Sequence, residues 1–330
     1  MSEPTPTSPG RSALRWLGRL LALVILGYLV FRVAEDREKL ADGGLRLAPG
    51  WLAAALAVYL GNQLASSAIW AWMIGRFGPA PRLRDAVGVC GRAWLGRYLP
   101  GKLWVVGGKV VLGAKLGIPT RTLAVVSITE LALIILVVTT MGSGCLLAVS
   151  AMGVPALPGL PLAAALLCGI VAIAPPVFRR LLNLVARVTR RRPLEADEVL
   201  SVRSLLGTAA RMLTLSLVGA FFWYCLLRAL LTPEQVTTEL VLLTIGGGSV
   251  ASIAGMIAVF APAGIGVRDG TQAAFLTLLL PDPVAIAVVL AARLAVVAGD
   301  VAYFGLSVAA TRRRGGPSAP PPPPPGEART

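Results

Sequence analysis

The sequence predicts an all-α polytopic membrane protein with six to eight transmembrane helices, one or two Gly/Pro-broken re-entrant hairpins and both termini in the cytoplasm. Of its 330 residues, 56% are hydrophobic and 14% are charged, whereas soluble domains contain about 25% charged residues. Apolar runs of about 20 residues, enough to cross a hydrocarbon core about 30 Å thick, recur along the chain. Each run is expected to be helical because lipid offers no partners for backbone polar groups.

Full spans are predicted at 14–33, 51–75, 122–149, 160–177, 205–230 and 284–309, with broken apolar regions at 85–117 and 240–281. The first run resembles a secretory signal peptide. Its exit carries Arg32 and a charged stretch rather than a cleavage site of small residues. We therefore expect an uncleaved first span.

The distribution of basic residues predicts the orientation, because cytoplasmic loops retain Lys and Arg. The stretch 76–121 contains nine basic residues and 179–203 contains seven, while 150–159 and 231–239 contain none. Both basic stretches and both termini are therefore expected in the cytoplasm. This asymmetry, and the absence of a separate basic soluble domain, argue against nucleic-acid binding despite a net charge of +15.

Three regions are expected along the chain: a disordered cytoplasmic N-terminus at 1–11, a membrane domain at 12–312 and a disordered Pro-rich cytoplasmic tail at 313–330. The ends contain too few apolar residues to fold. The expected location is the plasma (inner) membrane of a bacterial cell. Histidine is absent and the four cysteines stand singly, so we predict no cofactor and no metal site.

The region 85–117 reads as two apolar pieces of about 15 residues joined at Pro100-Gly101, and each is too short to cross a bilayer. Proline and glycine disfavour a continuous helix through the join. Basic residues flank the region on both sides, so the simplest path enters from the cytoplasm, turns and returns.

The region 240–281 breaks at 262–266, and the piece that follows has only 14 residues, Val267 to Leu280. It is either a hairpin that enters from outside or two spans with a cytoplasmic turn. Both paths leave the C-terminus inside, so loop charge does not separate them. One broken segment thus lies in each half of the chain, a pattern typical of substrate sites in transporters built from repeats.

Each break combines freed backbone, a new helix and a nearby cation, which together favour an anion such as phosphate. Further ionisable residues lie within apolar spans, where they suggest function by default. The alternatives are basic residues that flank a span, tight packing at the glycines and a static pair between Arg293 and Asp300. The candidate headgroup- or phosphate-binding residues are Pro100, Gly101, Lys102, Glu130, Gly264, Gly266, Arg268, Asp269, Arg293 and Asp300.

Three segments carry a resemblance to a known family: GRYLPGKLW at 96–104, GAKLGIP at 113–119 and APAGIGVRDG at 261–270. With the hydropathy of about 12–312, they resemble the transmembrane (flippase) region of bacterial lysylphosphatidylglycerol synthases, a family that includes stand-alone members. Ala263 and Asp269 stand where that family usually has glycine and glutamate. The resemblance implies a lipid translocase. No synthase domain is recognisable, so lipid aminoacylation is not expected.

The leading hypothesis is a non-enzymatic flippase or transporter that moves a phospholipid or polyprenyl-linked lipid headgroup between leaflets. One alternative is a membrane glycosyltransferase with a polyprenyl-phosphate donor, whose acidic residues would be Glu35 and Asp36. Another is an accessory subunit of a lipid-processing enzyme. The expected partners are a membrane lipid as substrate, with a lipid-synthesising enzyme and a second copy of the chain as candidate protein partners.

Overall fold

A computed structural model describes residues 45–99, 104–154, 157–188, 199–258, 264 and 266–312. All regular structure in these ranges is helical, and the all-α prediction is confirmed for them. The predicted span at 14–33 and both terminal tails lie outside the described residues. The helices are α1 Pro49–Ile74, α2 Leu83–Trp94, α3 Trp104–Ala114, α4 Thr120–Ala151, α5 Gly159–Ile173, α6 Pro175–Val188, α7 Val202–Leu230, α8 Thr238–Ile257, α9 Val267–Leu276 and α10 Asp282–Arg312.

Five of these helices are long and apolar enough to cross a membrane: α1, α4, α7, α8 and α10. Four coincide with the predicted spans 51–75, 122–149, 205–230 and 284–309 to within three residues at each end. A sixth candidate span is α5 together with α6. The described part of the chain is therefore a multi-pass membrane protein.

The span predicted at 160–177 is bent near its C-terminal end. Helix α5 ends at Ile173, and α6 leaves it at an angle of 87°. Pro175 begins the new helix, because its missing N–H and fixed φ suit a first helical position and not a helix interior. The predicted loop at 179–203 accordingly begins as helix, with Phe178 and Leu182 buried against the bundle.

The two larger apolar cores lie at opposite ends of the bundle. The first core includes Ile74, Val87, Leu123, Phe178 and Leu205, from the C-terminal end of α1, the N-terminal ends of α2, α4 and α7, and α6. The second core joins the N-terminal ends of α1, α8 and α10 to the C-terminal ends of α7 and α9, through residues that include Ala55, Leu226, Leu240, Leu276 and Val284. Backbone hydrogen bonds from Arg46 and Ala48 to the end of α7 close this second end.

Helices α2 and α3 form the first hairpin, as the break at Pro100-Gly101 predicts. They contain 12 and 11 residues, or about 18 and 16 Å of helix, which is well short of a span. A 3₁₀ turn at Leu95–Tyr98 extends α2. A Cβ on Gly108 would lie 3.0 Å from Cβ of Ala93, so glycine permits the close approach of the two helices. Residues 100–103 of the turn lie outside the described residues.

Helices α8 and α9 form the second hairpin. Helix α8 has 20 residues and is long enough to cross a membrane, whereas α9 has only 10 residues. Gly247 packs against Phe275 and Gly255 packs against Arg268, so α9 runs antiparallel along α8. Helix α9 is thus too short to be a full span, whereas α8 is long enough to be one.

Candidate functional site

Asp300 is the centre of a polar cluster on α10, and only 1% of its surface is exposed. One carboxylate oxygen accepts hydrogen bonds from the Tyr59 hydroxyl and, at 2.7 Å, from Nε1 of Trp94. The other accepts from the Tyr98 hydroxyl at 2.6 Å and from the Arg97 guanidinium at 3.4 Å. Four donors on one carboxylate satisfy the lone pairs of both oxygens.

Three elements position these donors. Tyr59 comes from the first half of α1, and Gly299 allows it to approach, since a side chain there would overlap its ring. Trp94 ends α2. Arg97 and Tyr98 belong to the 3₁₀ turn at the end of the first hairpin.

Arg97 is held by both charge and aromatic contacts. Its guanidinium lies 4.7 Å from the ring centroid of Trp94 and 5.8 Å from that of Tyr98. It pairs with Asp300 at 3.4 Å, and its side chain is 16% exposed. Cation–π contacts are stronger for a desolvated guanidinium, so Arg97 is fixed in place by its neighbours.

The second hairpin brings Asp269 and Arg268 to α10, beside Arg293. Gly266 has a φ of 86°, which favours glycine, and its N–H donates to Asp269 at 3.3 Å. Asp269 also lies 3.9 Å from Nη1 of Arg293. Arg268 precedes Asp269, and its charge interacts with those of Arg97 and Arg293. The two hairpins therefore meet beside the middle of α10.

Arg293 is not fully paired. Its side chain is 10% exposed, and among the described residues no group accepts a hydrogen bond from its buried Nη2. A buried guanidinium N–H without an acceptor is costly, more so than a neutral donor. The arrangement therefore suits an added acceptor that carries negative charge.

The net charge of the cluster also favours an anion as ligand. Three arginines, Arg97, Arg268 and Arg293, share two carboxylates, Asp269 and Asp300. The N-terminus of α9 lies at Arg268 and adds the positive end of a helix dipole. An anion here would restore electrical balance and satisfy the open donor, whereas a metal cation would meet net positive charge.

The structure brings together four of the predicted charged residues, Arg268, Asp269, Arg293 and Asp300. Gly264 and Gly266 form the turn that precedes α9, both with positive φ. The alternative of a static Arg293–Asp300 pair is not what forms, since Asp300 pairs with Arg97 and Arg293 lies beside Asp269. Pro100, Gly101 and Lys102 lie outside the described residues, as do Glu35 and Asp36 of the glycosyltransferase hypothesis.

Glu130 belongs to a different polar group. It accepts a hydrogen bond from Lys109 of α3 at 2.6 Å. Sequence reasoning found no partner for it, because Lys109 lies 21 residues earlier on another helix. Nearby, the hydroxyls of Ser67 and Tyr303 lie 2.6 Å apart.

Sequence reasoning missed five residues of these two groups: Tyr59, Trp94, Arg97, Tyr98 and Lys109. Arg97 and Tyr98 fall within the 96–104 motif, which was the available signal for them. Trp94 is typical of an interfacial tryptophan by composition, and only its contact with Asp300 assigns it to the site.

Comparison of the chain with protein-family models, with curated proteins and with solved structures finds no match. The resemblance to the lysylphosphatidylglycerol synthase family therefore stays a prediction from the three motifs, and the geometry of the site carries the functional argument.

Proposed function

We propose that the protein translocates a lipid between leaflets and that the arginine cluster of Arg97, Arg268 and Arg293 binds the phosphate of its headgroup. The main support for this proposal is the buried Nη2 of Arg293, which has no hydrogen-bond acceptor among the described residues. A lipid phosphate supplies both acceptor oxygens and negative charge, and arginine forms paired hydrogen bonds with phosphate. The expected substrate is a phospholipid or a polyprenyl-linked lipid.

The placement of the cluster along its helices suits passage between leaflets. Arg293 and Asp300 lie 11 and 18 residues into α10, a helix of 31 residues, or about 17 and 27 Å from its start. The first core lies toward one end of the bundle and the second toward the other. A headgroup bound here would be near half depth, which is where a translocase must stabilise it.

The proposed orientation places the first core on the cytoplasmic side. Arg82, Arg121 and Arg203 lie at helix starts on that side, as the rule for positive residues requires. The first hairpin is then re-entrant from the cytoplasm and the second from outside, and both termini are cytoplasmic. The proposed location is the plasma membrane of a bacterial cell.

Helix α10 separates headgroup from acyl chains. Arg293 and Asp300 face the bundle, while Leu294, Val297 and Val301 are exposed by 47%, 38% and 64% on its outer surface. An exposed apolar surface in this part of a membrane protein faces lipid. A headgroup could therefore enter the cluster beside α10 while its chains remain in the bilayer.

The test is reconstitution in vesicles that contain phosphatidylglycerol labelled on its headgroup with a dithionite-sensitive fluorophore. The wild-type protein is expected to expose inner-leaflet label to external dithionite. Removal of one charged hydrogen bond in Arg293→Gln should slow this by about 10- to 100-fold, the equivalent of about 1.5–3 kcal/mol. Arg203→Gln, an arginine in the first turn of α7, is the matched control and should behave as wild type.

A wild-type protein that leaves inner-leaflet label protected for phosphatidylglycerol, a zwitterionic phospholipid and a polyprenyl phosphate would refute the proposal. Equal rates for Arg293→Gln and wild type would refute the assignment of the site while leaving translocation intact.

A further inference from the structure

The proposed function does not use the second buried polar group, the ion pair between Lys109 and Glu130. The ammonium and carboxylate are 2.6 Å apart, and the side chains are 9% and 10% exposed. Both residues lie on the first-core side of the arginine cluster, Glu130 ten residues into α4 and Lys109 five residues before the end of α3. The pair joins the returning helix of the first hairpin to a full span.

Two ionisable side chains that are neutral at pH 7 lie near this pair. Cys90 of α2 and Tyr303 of α10 are near enough to interact electrostatically with Glu130. Helix α1 contributes Trp70, which donates to Ser127 one turn before Glu130 at 3.5 Å, and Ser67, which bonds to Tyr303. Among the described residues, Lys109 is the cation that bonds to Glu130.

These side chains extend from the ion pair toward the proposed lipid site. Cys90 contacts Ser67, which is 2.6 Å from the Tyr303 hydroxyl. Tyr303 lies three residues after Asp300, one turn along α10. Buried polar side chains of α1, α2 and α10 therefore lie between Glu130 and Asp300, the carboxylate that holds Arg97.

The ion pair is a polar link between the first hairpin and α4. Lys109 and Gly113 are the buried residues of α3, and Gly113 packs against Leu123 of α4. If the hairpin moves away from α4, Lys109 can extend toward the nearer, basic end of the bundle. Glu130 has no such route and would remain as a bare carboxylate at membrane depth, which is strongly unfavourable.

We propose that Glu130 is a proton-binding site, and that its protonation releases Lys109 and allows the first hairpin to move. In this step one proton adds to the Glu130 carboxylate to give the neutral acid, and Lys109 keeps its own proton. Lipid movement is then linked to proton binding, a step that rests on the proposed function. The link arises because Arg97, at the end of the same hairpin, pairs with Asp300 in the headgroup site. Histidine is absent from the chain, so a carboxylate is the group suited to this exchange.

The test measures lipid translocation over a series of pH values, equal on both sides of the vesicle, with headgroup-labelled phosphatidylglycerol. The wild-type rate should rise as the pH falls, by up to about tenfold per pH unit for a single linked proton. Glu130→Gln mimics the protonated state and should be fast at every pH. Lys109→Gln lacks the pairing cation, so no ion pair holds the hairpin to α4, and it should be faster than wild type.

A second measurement does not depend on transport. Infrared difference spectra of the purified protein between neutral and acidic pH should contain a protonated-carboxyl band that is missing in Glu130→Gln. Glu234→Gln, at an exposed loop residue on the opposite end of the bundle, is the matched control in both measurements. It should retain the wild-type pH dependence and the band assigned to Glu130.

The results separate this inference from the proposed function. Lipid movement at a rate that does not depend on pH, or a pH dependence that survives in Glu130→Gln, overturns proton linkage and leaves translocation intact. Infrared spectra identical in wild type and Glu130→Gln overturn the proton site. A wild type that moves no lipid but shows the Glu130 band refutes translocation and supports the proton site.

Discussion

Replacement of Asp300 by asparagine tests the polar cluster through stability. The wild-type carboxylate accepts from Tyr59, Trp94, Tyr98 and Arg97. An asparagine keeps the shape but removes the charge, and its amide N–H groups would face other donors. Loss of one partner from a buried ion pair costs about 3–5 kcal/mol because the other charge is left uncompensated. That is a large part of a typical total stability of about 5–15 kcal/mol.

The assay is thermal unfolding of the detergent-solubilised protein, followed by the reactivity of its buried cysteines. For a chain of this size, the expected loss lowers Tm by about 4–7 °C. Asp282→Asn, at an exposed residue in the first turn of α10, is the matched control and should change Tm little. The double variant Asp300→Asn/Arg97→Gln should recover part of the loss, since it removes the uncompensated cation.

A fall of less than 2 °C for Asp300→Asn, or a double variant no more stable than the single one, would refute the reasoning that Asp300 compensates Arg97. Either result would mean that solvent or another anion neutralises the guanidinium.

Three further variants test other parts of the structure. Arg293→Gln should lower Tm by less than Asp300→Asn does, because it removes an incompletely paired cation while Asp269 keeps the Gly266 N–H as a donor, and an equally large fall would show that Arg293 is structurally paired. Gly246→Ala should lower stability by about 1–3 kcal/mol, because the added Cβ would lie 2.5 Å from Leu146; Gly50→Ala, with open space around it, is its control in thermal unfolding. Phe178→Ala should cost about 3–5 kcal/mol because the ring is buried, and an unchanged Tm would show that α6 is not anchored to the first core.

Hydropathy predicted most of the fold because lipid imposes one strong local rule on backbone groups. The spans α1, α4, α7 and α10 and both interrupted regions follow from it. The bend between α5 and α6 did not, since residues 174–177 are Ala, Pro, Pro and Val and contain no charged side chain that would end the apolar run. Local backbone chemistry at Pro175, rather than hydropathy, determines that bend.

The candidate site was predictable in composition but not in pairing. A spacing of seven residues places Arg293 and Asp300 on one face of α10. The same spacing separates them by about 10 Å along the helix axis, so each needs another partner. Those partners, Asp269 and Arg97, come from two hairpins distant in sequence. The pairing of Lys109 with Glu130 likewise depends on how α3 rotates against α4, which no local pattern specifies.

The most direct test of the central claim is native mass spectrometry of the protein released from gentle detergent, with retained phospholipid counted per chain. Wild type and Arg203→Gln should keep a phosphate-bearing lipid, while the Arg268→Gln/Arg293→Gln double variant should lose it and remain folded. Equal lipid retention by the double variant and wild type would contradict a phosphate site formed where the two hairpins meet α10.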